Sequence, residues 1–323
     1  MNRHDVDWFG YWPAAPTPFQ QDGALDAAGL RELMELYLSH GVHGILVNGS
    51  TGEWFSQSAD ERRTVAEVAR EAVDGRAPLV VGVTAYTPAE AIELAKHAAE
   101  IGADGVLATP PPYAHPTPDE IVAFYAEVSE ATELPFMVYN WPRGVAVDMA
   151  AHAGLMKRLA ALPNVAAIKD STGDWNRMVG TIEEVADEVR VFGSLAHRRG
   201  MAIMMGLGGD GAIDGGGIGA PFAVQFFDAV RAGNVELAEY WVDRYQSISG
   251  RMVHPDYSGR FASPISQLKA AMSLLGQPAG PVRAPLLPVD DRERLAALAE
   301  ILSSASLRVI PGRLEQLVNE GEK

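Results

Sequence analysis

Cysteine is absent from all 323 residues. That excludes disulfides, thiol nucleophiles and thiolate metal sites, although it does not decide the compartment. Positive charge is scarce, with 26 Lys and Arg against 42 Asp and Glu and a formal net charge of −16. The longest basic run is His197-Arg198-Arg199. The basic patch expected of a nucleic-acid binder is missing, so no nucleic-acid partner is expected. Long apolar runs are missing too. No segment reaches the roughly 18 apolar residues of a membrane span, so no membrane partner is expected. The opening Met1-Asn2-Arg3-His4-Asp5-Val6-Asp7-Trp8 carries acids where a signal peptide needs an apolar stretch, and a cytoplasmic location is the expectation. Neither low-complexity tracts nor internal repeats beyond a β/α unit are found.

What is present is ordinary globular material, 47% hydrophobic and 21% charged. This suffices for one large core, and the length fits a single barrel of about 250 residues with an appendage. Short apolar runs alternate with stretches of helical period, the pattern of a parallel α/β fold. Strands are expected at Tyr11–Thr17, Gly44–Val47, Leu79–Gly82, Gly105–Ala108, Phe136–Tyr139, Val165–Lys169, Arg190–Gly193 and Gly211–Ile213. Between them, Leu30, Leu33, Met34, Tyr37 and Leu38 recur at helical spacing. Ser58…Glu61, Thr87…Glu90 and Thr117…Glu120 read as capping boxes. Asp148–Leu159, Asp174–Glu188, His197–Met205 and Pro221–Ala232 fill further helical slots. Eight even units ending near residue 233 imply a (β/α)8 TIM barrel over 1–233, with the doubly wound sheet as the alternative. A C-terminal helical appendage over 234–323 follows, with helices at Asn234–Arg251, Ser263–Leu275, Arg292–Ser303 and Leu307–Asn319.

Active sites of this barrel lie at the C-terminal ends of the strands. After the second strand, Asn48-Gly49-Ser50-Thr51-Gly52-Glu53 offers backbone N–H groups beside hydroxyls. Such a turn suits a carboxylate, or is a plain strand-to-helix turn. Lys169 closes a buried strand, where an amine is costly unless paired or used. It is either a nucleophile whose pKa desolvation has lowered, or a salt-bridge partner of Asp170 or Glu53. Tyr139 ends the fifth strand and either shuttles a proton or anchors a loop. Gly206-Leu207-Gly208-Gly209-Asp210-Gly211 matches the dinucleotide fingerprint, yet it precedes a strand instead of following one, which rejects that reading. His40 and His43 lack a third ligand, and Met201, Met204 and Met205 read as core filling.

Together these positions resemble the dihydrodipicolinate synthase / N-acetylneuraminate lyase family of class I, Schiff-base-forming enzymes. The resemblance rests on Ala14-Ala15-Pro16-Thr17-Pro18-Phe19, Gly49-Ser50-Thr51-Gly52-Glu53, Pro111-Pro112-Tyr113, Tyr139-Asn140-x-Pro142, Lys169-Asp170-Ser171-Thr172-Gly173 and Gly209-Asp210-Gly211-Ala212-Ile213, in family order over residues 10–232. It implies a lyase, an aldolase or dehydratase, acting on pyruvate or a 2-keto-3-deoxy sugar acid through an imine on Lys169, without metal or organic cofactor. The alternatives are a 4-hydroxy-tetrahydrodipicolinate synthase condensing pyruvate with an aldehyde, and a non-catalytic oxo-acid sensor. The resemblance further implies that Gly49, Ser50 and Thr51 hold the substrate carboxylate. Tyr139 becomes the proton shuttle, with Ser50 and Tyr113 completing the relay, and Ile213 and Gly193 lie at the substrate. Tyr113 is implied to enter a partner subunit's site, which makes the protein a homodimer or homotetramer.

The sequence departs from that pattern on the second-substrate side. The synthase branch has an arginine five residues after the shuttle tyrosine, whereas Arg143 follows Tyr139 by four. Position 112, often aromatic, is Pro, and a serine of the lyase branch is replaced by Gly215. The loop Ser194–Gly200 is basic, so His197, Arg198 or Arg199 is expected either to contact the second substrate's tail or simply to open a solvated helix.

Overall fold

Strands buried on both faces read as short apolar runs, and each such run becomes a strand. In the computed structural model, which describes residues 1–321, they are β1 (Gly10–Ala14), β2 (Ile45–Val47), β3 (Leu79–Gly82), β4 (Gly105–Ala108), β5 (Phe136–Asn140), β6 (Val165–Asp170), β7 (Arg190–Phe192) and β8 (Gly211–Gly215). Each pairs in parallel with the next, and β8 pairs with β1, so the sheet closes into a barrel and the doubly wound alternative is excluded. Around it lie α1 (Ala27–Ser39), α2 (Ala59–Val73), α3 (Pro88–Glu100), α4 (Pro118–Glu130), the single turn α5 (Pro142–Val145), α6 (Leu155–Ala160), α7 (Trp175–Val185), α8 (Arg198–Gly206) and α9 (Ala220–Arg231). The chain continues through α10 (Val235–Met252), α11 (Pro264–Leu274), α12 (Arg292–Ser304) and α13 (Arg313–Gly321). No helix among the described residues is long and apolar enough to cross a membrane.

The departures from expectation have local causes. β1 stops at Ala14, not Thr17. The amide of Ala15 makes one more bond to the neighbouring strand β2, at Leu46, and Pro16 and Pro18 then have no N–H to offer. The single helix expected over Asp148–Leu159 is two pieces, because Asp148 caps a short 3-10 turn and Gly154, at φ 74°, restarts the chain as α6. The final helix begins at Arg313 instead of Leu307, since Ser306 takes a left-handed conformation and Pro311-Gly312 intervenes. Full capping boxes form at Ser58/Glu61 and Thr117/Glu120. At Thr87 only half forms: its hydroxyl accepts from the Glu90 amide, without the reciprocal bond from the Thr87 amide to the Glu90 carboxylate.

Trp12, Leu46, Val80, Leu107, Met137, Ala167 and Phe192 fill the barrel interior, so it is a packed core and not a pore. Trp8 packs against the start of β4, where a Cβ at Gly105 would stand 2.6 Å from its ring. The helices beyond β8 reach back over the mouth. Lys269 of α11 places Nζ 2.5 Å from Glu53 and donates to the carbonyls of Thr17 and Pro281 at 2.8 and 2.9 Å. Both charged side chains are buried, at 3% and 0% exposure. The turn after β2 is thereby fastened to the C-terminal helices.

Candidate active site

The register of two neighbouring strands creates the centre of the site. β5 pairs with β6 so that Tyr139 stands directly opposite Lys169, both at the C-terminal mouth of the barrel. The Lys169 amine lies 4.1 Å from the centre of the Tyr139 ring, and no carboxylate among the described residues bonds it. The two salt-bridge partners considered from the sequence are engaged elsewhere. Glu53 pairs with Lys269. Asp170 accepts from the Asn140 amide group, the Thr172 N–H and the Thr181 hydroxyl at 2.9, 3.0 and 2.7 Å. Burial disfavours the ammonium and pulls the Lys169 pKa down to about 7, against the opposing pull of Asp214.

Tyr139 is almost fully buried, which pushes its phenol above its ordinary pKa, while hydrogen bonds with Ser171 and Ser50 act in the other direction. Its proton therefore stays on oxygen at neutral pH, yet has two hydroxyls to move along. Trp141 stacks on Tyr139 with centroids 5.9 Å apart, and Tyr257 meets Trp141 edge-on at 5.5 Å.

The turn after β2 depends on tight backbone packing. Asn48 and Glu53 both adopt left-handed conformations, at φ 55° and 53°. Strand β3 passes so close that a Cβ on Gly82 would lie 2.1 Å from the Asn48 carbonyl oxygen, so only glycine fits there. Arg62 ties the neighbouring loops by donating to the carbonyls of Gly82 and Thr84 at 2.9 and 3.0 Å. The turn presents Ser50 and Thr51 to the mouth.

From β8 come Ile213, Asp214 and Gly215. Burial raises the pKa of the Asp214 carboxyl, opposed by the Tyr245 hydroxyl, which donates to it at 2.5 Å, by the Gly215 amide at 2.7 Å, and by the nearby Lys169 amine. These groups open on one cavity of about 450 Å³.

Of the residues singled out by sequence, Lys169, Tyr139, Ser50, Thr51, Ile213 and Arg143 line this cavity. Gly49, Gly193 and Tyr113 do not. Gly49 faces Leu46, and Gly193 lies against Met178, whose sulfur a Cβ would meet at 2.7 Å. Tyr113 sits at φ 73° with 91% of its surface exposed. None of the three residues of the basic loop after β7 lines the cavity either. His197 caps α8 and packs on Trp175, with ring centres 4.7 Å apart, while Arg198 is bonded to Asp243 and Glu239 of α10. Sequence reasoning passed over Trp141, Ser171, Asp214, Tyr245 and Tyr257. Trp141, Ser171 and Asp214 adjoin or interrupt the quoted motifs and could have been found there. The two tyrosines come from the C-terminal helical region, where no local signal marks them.

A closed β/α barrel with a buried, unpaired lysine and a tyrosine at its catalytic face defines a class of enzyme that works through a side-chain amine. Residues 8–305 match the model of the Dihydrodipicolinate synthetase family, and the chain belongs to that family of lyases. It is 34% identical to an uncharacterized DapA-like lyase of Rhizobium meliloti, covering 88% of this chain and 92% of the relative. It is 32% identical to a 4-hydroxy-tetrahydrodipicolinate synthase of Methanothrix thermoacetophila, covering 92% and 97%. Among solved structures, YagE, a prophage protein of E. coli K12 in complex with pyruvate, superposes with a TM-score of 0.83 at 28% identity, covering 94% of this chain and all of that one.

Proposed function

We propose that the protein is a cofactor-free aldolase or dehydratase in which Lys169 forms an imine with C2 of pyruvate or a 2-keto-3-deoxy sugar acid. One observation carries this reading: the Lys169 amine lies buried and unpaired against Tyr139, with its pKa lowered to about 7. At pH 7 roughly half of such an amine is the free base, against roughly one part in three thousand for an ordinary lysine. The neutral amine adds to the ketone, the oxygen leaves as water, and the protonated imine becomes an electron sink. A C3 proton is then lost, or the C3–C4 bond broken, to give an enamine.

Ser50, Thr51 and the Gly49 backbone are assigned to the substrate carboxylate. Tyr139 is assigned to carry protons between the imine nitrogen, the substrate oxygens and Ser50. Asp214 faces the same amine, and its negative charge favours the protonated imine. Tyr113, which does not serve its own cavity, is assigned to a partner subunit's relay, so the working unit is a dimer or tetramer. The chain is proposed to act in the cytoplasm, and the helices beyond residue 233 to be an appendage that completes the mouth. A second reading, condensation of pyruvate with an aldehyde bearing a carboxylate, is supported by the name of the Methanothrix relative and by Arg143 in the cavity wall.

The test is pyruvate release from a 4-hydroxy-2-oxo acid, followed with a lactate dehydrogenase couple. The wild type releases pyruvate, Lys169→Ala does not, and Tyr139→Phe loses about 10²- to 10⁴-fold in kcat. Unchanged turnover in Lys169→Ala would overturn the assignment. Pyruvate binding without turnover or imine formation would instead make the chain a sensor.

A further inference from the structure

The part of the cavity wall supplied by Trp141 and the C-terminal helices has a chemistry of its own. Trp141, Ile248, Met252, Val253, Ile265 and Leu268 contribute to its wall, the last five from α10, α11 and the segment following α10. The polar side chains set among them are already engaged. Tyr245 donates to Asp214 at 2.5 Å, and Ser249 bonds Tyr245. Gln267 donates to the Met252 carbonyl at 2.8 Å and accepts from the Phe261 amide at 3.1 Å. Ser263 bonds Ser266 at 2.7 Å and caps α11. Tyr257 is hydrogen-bonded with Ser194.

The backbone tells the same story. At Gly215, where the sugar-binding branch of the resemblance carries a serine, an added Cβ would meet the Leu268 Cδ2 at 3.5 Å and the Thr51 hydroxyl at 3.6 Å. Both are ordinary van der Waals contacts, so a side chain would fit, and with glycine at this position β8 puts no hydroxyl of its own into this part of the wall. The one guanidinium in the wall, Arg143, belongs to an exposed residue, and Asp256 acts on it only from beyond ion-pair distance. The Asp256 carboxyl is held below its usual pKa by the Ser258 hydroxyl and amide, and in smaller part by Arg143. A hydroxylated substrate tail would lose water here and find few free partners, which disfavours it strongly. An apolar body would lose only unfavourable hydration.

We infer that the second substrate is an aldehyde with an apolar, unhydroxylated body, aromatic or branched, seated against Trp141, Met252 and Leu268. The inference rests on the Schiff-base reading above and narrows it, choosing pyruvate over the 2-keto-3-deoxy sugar acid and the aldolase over the dehydratase. In the forward direction C3 of the enamine bonds to the aldehyde carbon and the aldehyde oxygen takes up a proton. Hydrolysis of the imine returns the water lost when it formed, so pyruvate and aldehyde give a 4-hydroxy-2-oxo acid with all atoms accounted for. The reverse reaction releases the same two molecules.

The experiment pairs borohydride trapping of pyruvate on the wild-type protein with condensation of pyruvate against benzaldehyde, glyceraldehyde and succinic semialdehyde. The expected result is a trapped pyruvate adduct and a kcat/KM for benzaldehyde at least about tenfold above either polar aldehyde. Val253→Thr and Met252→Gln, which nearly keep side-chain volume, are each expected to lower the benzaldehyde-to-glyceraldehyde ratio several-fold. The ratio is the readout, so partial misfolding of a variant does not move it. An adduct with equal or better use of a polar aldehyde, or with no use of benzaldehyde, overturns the inference and leaves the Schiff-base reading standing. Absence of the adduct overturns both.

Discussion

At the scale of the residue, the chemistry depends on how burial divides charge between Lys169, Tyr139 and Asp214. The amine is drawn toward neutrality by desolvation, and the carboxylate of Asp214 partly restores its charge. Because the neutral form attacks, imine formation should rise with pH through about 7, as the buried lysine loses its proton. Asp214→Asn removes a charge that stabilises the ammonium, so the midpoint of that rise should move to lower pH. Rates of pyruvate imine formation, measured by quenched trapping across the neutral range, read both. A midpoint above 9, or one that moves upward in Asp214→Asn, would contradict this balance. Lys169 and Tyr139 were legible because their strand-end positions put a costly polar group where catalysis occurs. Asp214 was not, because its effect arises from packing against Tyr11 and Tyr245 across the barrel closure, which no local pattern reveals.

At the scale of the element, the turn after β2 is held by a buried ion pair reaching across more than two hundred residues of sequence. Glu53 and Lys269 are both nearly inaccessible, so removing one partner leaves the other charged or polar in a dry site. Lys269→Met is expected to cost about 3–5 kcal/mol in urea denaturation, whereas the double change Glu53→Gln with Lys269→Met should recover a substantial part. A loss below about 1 kcal/mol for the single variant would show the pair to be of little consequence. Most elements were readable from period and caps, as at Ser58 and Thr117, because those signals are local. The failures lie where a local rule was overridden. Gly154 broke a helix that periodicity joined, and Pro16 ended a strand that composition extended. The role of Glu53 was unreadable for the same reason as that of Asp214, since its partner lies in a distant helix.

At the scale of the whole molecule, the eight β/α units were visible because evenly spaced buried strands leave few other ways to close a sheet. The wall supplied by α10 and α11 was not visible, and that wall sets the character of the second-substrate side. The exposed Tyr113, held at φ 73°, fits a residue meant for a partner subunit. Sedimentation should therefore show a species of at least twice 34.6 kDa. Mixing Lys169→Ala with Tyr113→Ala subunits should restore activity, since each hybrid dimer holds one site with both residues. A monomer, or inactive mixtures, would confine Tyr113 to another role. The account as a whole stands on the imine at Lys169. The most direct measurement incubates the wild-type protein with pyruvate and borohydride, then locates the modification by peptide mass spectrometry. One reduced pyruvate adduct per chain on Lys169, absent from Lys169→Ala, is the predicted result. An unmodified protein, or an adduct on another lysine such as Lys269, would contradict it.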